Sequence, residues 1–153
     1  MQTVVEPNLP VSRRLAAFFH LCKPRVNSLI VFTAMIGMFL ATPGFPPLLR
    51  FAVASIGIAL VAFAAAALNC LVERTIDARM ARTSWRATAR GDISVVETVT
   101  LATLLGAAGL WLLHAFINDL TMWLTLSTFV GYTIIYTLIL KPATPMNIVI
   151  GGA

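Results

Sequence analysis

Four long apolar stretches, at about residues 26–42, 48–71, 95–116 and 120–140, are separated by short polar or Pro/Gly-rich breaks. Each approaches the roughly 20 residues that an α-helix needs to cross about 30 Å of hydrocarbon, the first being the shortest. Pro43, Gly44, Pro46 and Pro47 interrupt the chain between the first two. Ile117-Asn118-Asp119 turns the third into the fourth. After Lys141 the sequence restarts as Asn147-Ile148-Val149-Ile150-Gly151-Gly152-Ala153, which reads as the opening of a fifth span, cut short. The pattern predicts an all-α fold: a polytopic transmembrane helical bundle of four complete spans plus the start of a fifth. A chain that stops on an unfinished apolar run is expected to be a fragment or a truncated reading frame.

Composition agrees. Of 153 residues, 59% are hydrophobic and 11% charged, against about 25% charged in a soluble domain. The formal charge of +5 is unevenly placed. Arg13, Arg14, Lys23 and Arg25 precede the first span; Arg74, Arg79, Arg82, Arg86 and Arg90 follow the second; Lys141 follows the fourth. Ten of the eleven cations thus fall on one side, with Arg50 alone near the other. The positive-inside rule then predicts a cytoplasmic N-terminus and a cytoplasmic loop at 72–94. No basic patch interleaved with exposed aromatics occurs outside the loops, so nucleic acid is not an expected partner. Residues 1–10 carry Glu6 and two prolines and fit neither a secretory signal nor a transit peptide. An integral, multi-pass protein of a prokaryotic plasma (inner) membrane is the expected home. Cys22 and Cys70 give no disulfide framework and read as free thiols.

The chemistry concentrates where the second span meets the cytoplasm. Asn69, Glu73 and Asp77 are spaced by four, so on a helix they spread over roughly 80° of one face and rise about 6 Å per step. Acids at a membrane edge are expensive and generally mark a site. Hard oxygen donors, with no Cys/His pairs at zinc spacing, favour Mg²⁺, which takes one or two carboxylates and completes its shell with phosphate oxygens. Arg82, Arg86 and Lys141 are candidates to hold those phosphates. Fixed positive charge there would stabilise a departing diphosphate, and the membrane setting points to a lipid diphosphate. The bland alternatives are that the arginines serve topology and that Glu73 pairs with a nearby arginine. His20 and His114 are expected to be structural or interfacial rather than haem ligands. Trp111, Trp123, Tyr132 and Tyr136 suit interfacial belts or helix packing, and Gly106-Ala107-Ala108-Gly109 permits close helix approach.

These residues resemble a known family. Cys22-Lys23-Pro24-Arg25, then Asn69-Cys70-x-x-Glu73-Arg74-x-x-Asp77-x-x-Met80-x-Arg82-Thr83, then Arg90-Gly91-x-Ile93-Ser94, and finally Tyr136-Thr137-x₃-Lys141 through Thr144-Pro145-x-Asn147 to Gly152 are similar to the UbiA superfamily of intramembrane prenyltransferases. Glu73 with Met80 and the closing segment favour its haem-farnesylating branch over the quinone branch. The resemblance implies that residues 1–153 are the N-terminal part of a single prenyltransferase domain, with 1–25 a cytoplasmic arm and 72–94 a catalytic loop. It implies that Asn69, Glu73 and Asp77 form a catalytic metal–diphosphate motif for Mg²⁺, with Arg82, Arg86 and Lys141 touching phosphate. The implied reaction joins a farnesyl group from farnesyl diphosphate to a vinyl group of haem B, giving haem O and diphosphate. The bilayer, haem A synthase and terminal-oxidase assembly factors are the implied partners. Arg86 is followed by Ala87-Thr88 where the family usually has Pro-Leu. The family is about twice as long, so a second acidic motif is missing and this chain is expected to be inactive alone. The competing expectations are an aromatic acceptor, as in quinone synthesis, or a non-enzymatic four-span protein.

Overall fold

A computed structural model describes residues 11–81, 83, 84 and 86–140, with Ala143, Met146 and Val149. Its helices are α1 (Val11–Leu21), α2 (Pro24–Ala41), α3 (Leu48–Asp77), α4 (Ala87–Arg90), α5 (Val95–Phe116) and α6 (Asp119–Val130). α6 runs directly into a π-helical segment, Gly131–Leu140. No strand occurs among the described residues. Among the described residues, three helices, α2, α3 and α5, are long and apolar enough to cross a membrane. The fourth expected span, 120–140, is helical but divided between α6 and the π segment, and neither piece is among those three helices. Most of the expected fifth span lies outside the described residues.

Local chemistry sets the boundaries. Pro24 opens α2, where its missing N–H and fixed φ suit a first turn. Ser94 and Glu97 form a capping box at the start of α5, each side chain taking the other's backbone N–H. The Asn118 side chain accepts from the Thr121 N–H at 2.7 Å and starts α6. Gly91, at φ 80°, closes α4 in a left-handed cap.

The core is built from small residues. α3 packs most extensively on α5, and Ala64, Ala67 and Ala102 are buried between them. A Cβ on Gly109 would stand 2.6 Å from the Gly57 carbonyl oxygen, so the two backbones touch there as Gly106–Gly109 suggested. Large apolar side chains such as Phe32, Leu40, Leu104 and Trp111 face outward, the arrangement of a protein solvated by lipid tails.

Within the arm of residues 1–25, Val11–Leu21 is helical. α1 lies against the bundle, where Arg14 pairs with Glu97 of α5 and Leu21 is buried with Cys70 and Ile93. The loop region 72–94 likewise begins as helix, since α3 continues to Asp77.

Candidate functional site: an acid cluster at the end of α3

All three motif residues are buried: Asn69 is 2% exposed, Glu73 7% and Asp77 3%. Such burial demands partners, and they come from three separate parts of the chain. The Asn69 amide donates to Glu73 Oε1 at 2.7 Å and to Thr137 Oγ1 at 3.3 Å. Its oxygen accepts from Lys23 Nζ at 2.5 Å. Arg86 Nη1 lies 2.6 Å from Asp77 Oδ2 and 3.6 Å from Glu73 Oε2. The Thr83 hydroxyl donates to the Asp77 carbonyl, shaping the turn that brings Arg86 back. Burial acts to lower the pKa of Arg86, but the hydrogen bond and charge of Asp77 outweigh it and raise the value, so this cation is permanent.

Arg86 therefore sits on the acids themselves. The π segment carries Thr137 to Asn69, and the Thr137 hydroxyl also donates to the Tyr132 carbonyl five residues back, at 2.9 Å. Tyr132 and Tyr136 stack beside it with centroids 5.4 Å apart. Arg82 and Lys141, the other expected phosphate contacts, lie outside the described residues. Of the histidines, His114 pairs with Asp119 at 2.6 Å near the turn between α5 and α6, away from the acids.

Sequence reasoning missed Lys23 as a site residue. It caps α2 with φ 45° and ψ 58°, the one non-glycine residue at positive φ among the described residues. The proline after it disfavours the right-handed helical region, and the left-handed one costs roughly 1–2 kcal/mol. Backbone hydrogen bonds from Val26 and Asn27 to the Lys23 carbonyl, and one from the Asn27 side-chain amide to the Cys22 carbonyl, hold it there. Strain of this kind collects at functional positions. The only sequence signal was a Lys-Pro pair directly before an apolar run.

Lys23 lines a cavity of about 250 Å³ between α2, α3 and α6. Its walls are apolar, formed by Ile30, Ile58, Val61, Ala65 and Phe129, with Tyr132 near the polar end. A cation on the wall of an apolar cavity, hydrogen-bonded to the acid-bearing cluster, can hold an amphiphile whose charged group meets Lys23 and whose hydrocarbon tail fills the cavity.

These features define a polytopic helical membrane protein with a charged pocket at one end of the bundle. The UbiA prenyltransferase family model matches residues 30–153. The chain belongs to that family. It is 86% identical over 153 residues to the "Protoheme IX farnesyltransferase" of Dechloromonas aromatica (strain RCB), covering 100% of this chain and 51% of that protein. Proteins of the same name from Janthinobacterium sp. (strain Marseille) and Nitrosomonas eutropha are 60% and 62% identical, over 91% and 92% of this chain and 47% of each relative. The chain thus spans about half the length of the curated relatives it matches. No solved structure matches it.

Proposed function

We propose that this chain supplies the first acidic motif of a haem farnesyltransferase. The bond from farnesyl C1 to the diphosphate oxygen breaks, and the electron pair leaves with diphosphate. A vinyl group of haem B attacks the allylic cation; water adds to the resulting cation and loses a proton, leaving a hydroxyethylfarnesyl group. Haem B, farnesyl diphosphate and water thus give haem O and diphosphate. The observation that carries this reading is the cluster of Asn69, Glu73, Asp77 and Arg86 joined through Asn69 to Lys23, which itself lines the apolar cavity. The names of the relatives favour haem over an aromatic ring as acceptor.

Lys23 and Arg86 orient and neutralise the diphosphate, Arg82 and Lys141 adding charge, and the cavity shields the allylic chain from water. Among the described residues no three His, Cys, Asp or Glu side chains gather as a metal-holding group. The donor set still fits Mg²⁺, because two carboxylates are what that ion takes from protein when phosphate completes its shell. Glu73 and Asp77, with Asn69 alongside, would hold it, and it would supply charge against the departing diphosphate. Residues 1–153 form one part of a single intramembrane domain, with the acids on the cytoplasmic face of a prokaryotic plasma membrane and haem A synthase or oxidase assembly factors receiving product.

The test is Asp77→Ala in nanodiscs. Mg²⁺-dependent binding of farnesyl diphosphate, and its release of diphosphate in the full-length context, should be lost. Binding or release equal to the parent would remove Asp77 from the site. Turnover with 4-hydroxybenzoate and none with haem B would overturn the acceptor.

A further inference from the structure

A second, larger cavity of about 640 Å³ opens at the same end of the bundle, between α1, the start of α2 and the turn into α4. Its wall combines aromatic and aliphatic surface from Phe19, Pro24 and Val26 with three cations, Lys23, Arg25 and Arg86. Lys23 and Val26 line both cavities, so the two share a partition. That partition carries the lysine bonded to Asn69. Whatever fills the larger space lies beside the charged head of whatever fills the smaller.

We propose that this larger cavity is the acceptor subsite and takes a flat macrocycle bearing carboxylates, that is, haem B through its propionates. This rests on the reading of the chain as a haem farnesyltransferase. Three features favour it. The volume lies in the range of cofactor pockets and is spacious for a single benzoate ring. The apolar wall offers Phe19 for stacking on a π-face, while Arg25, exposed on the same wall, suits a carboxylate. The shared partition sets the macrocycle edge next to the site where the allylic bond breaks, as bond formation requires.

The experiment titrates haem B and its dimethyl ester, by the Soret band, into the chain in zwitterionic nanodiscs. The parent should prefer haem B to the ester. Arg25→Glu should weaken haem B by about tenfold or more and erase the preference, as expected for reversing one charge near a carboxylate at a protein surface. Phe19→Ser should weaken both ligands. Arg25 and Phe19 are exposed, so folding should survive, which unchanged Mg²⁺-dependent binding of farnesyl diphosphate would verify. Haem binding that both variants leave untouched overturns the subsite and leaves the acceptor standing. Failure of the parent to bind haem, with farnesyl diphosphate still bound, overturns the acceptor and the subsite with it. Should Arg25→Glu leave haem binding unchanged and, in a parallel titration, weaken only the uptake of an anionic lipid, the cavity is a headgroup site and the proposal falls.

Discussion

Replacing Gly109 with alanine tests the tightest contact in the bundle. The added methyl would stand 2.6 Å from the Gly57 carbonyl oxygen, 2.8 Å from Val61 Cγ2 and 3.0 Å from Leu60 Cβ. A side-chain tip could rotate away, but the first of these atoms is backbone of α3. Relief requires the two helices to separate by several tenths of an ångström, loosening Ala64, Ala67 and Ala102 along the same seam. Overpacking of this kind costs about 1–3 kcal/mol, and a rigid neighbour places it in the upper half. Alanine returns up to about 1 kcal/mol through helix propensity. A net loss of about 1–2 kcal/mol, or roughly five- to thirtyfold in the unfolding equilibrium, is expected. Gly106→Ala is the internal control, because its methyl would meet only Ala64 Cβ, at an ordinary 3.6 Å; that variant should be neutral or slightly stabilised. Denaturation by sodium dodecyl sulfate in mixed micelles, followed by fluorescence of the tryptophans, reads both. Equal stability of Gly109→Ala and the parent, or an equal loss in Gly106→Ala, would refute the close-contact argument.

Lys23→Gly should separate strain from chemistry: glycine accepts φ 45° freely, so stability should hold or rise by up to about 1 kcal/mol, while binding of farnesyl diphosphate weakens at least tenfold. Lys23→Ala should lose both, and parent-like binding by either variant would show that the ammonium group does not reach substrate. Burial, and secondarily the neighbouring Cys70, push the Cys22 thiol above its ordinary range. In a Cys70→Ala background, maleimide labelling of Cys22 should therefore accelerate only at a higher pH than for a free thiol. A raised folded-state value means that its contribution to stability is complete below the unfolded pKa and lost as pH rises through the folded one. Labelling that tracks the free-thiol curve would contradict the burial.

The apolar runs announced the helices because twenty-residue stretches of Leu, Ile, Ala and Val leave few alternatives in lipid. Asn69, Glu73 and Asp77 were legible for a similar reason, since buried acids stand out against such a background. α1 was not, because eleven residues with Arg14 on one side and Leu21 on the other are too short for any span pattern, and docking on α5 and α3 stabilises them. Lys23 was hidden by its separation from Asn69, 46 positions along the chain, which no local periodicity can bridge. The place of Arg86 on Asp77 depends on the turn through Thr83, which residue spacing does not reveal. The switch from α6 to the wider π turns at Gly131 was not legible, because both pieces are apolar and hydropathy does not report helix pitch.

The length of α3 acts as a depth gauge. Thirty residues extend about 45 Å along the axis, some 15 Å more than the oily interior is thick. If Leu48 starts near one boundary, the helix leaves the hydrocarbon close to Asn69, and the acids occupy the headgroup layer. On the proposed function, an amphiphilic donor floating at its natural level would find its phosphates already opposite the acids and its chain still in oil. Loading would then require lateral drift alone, without lifting the isoprenoid into water or dragging charge into fat.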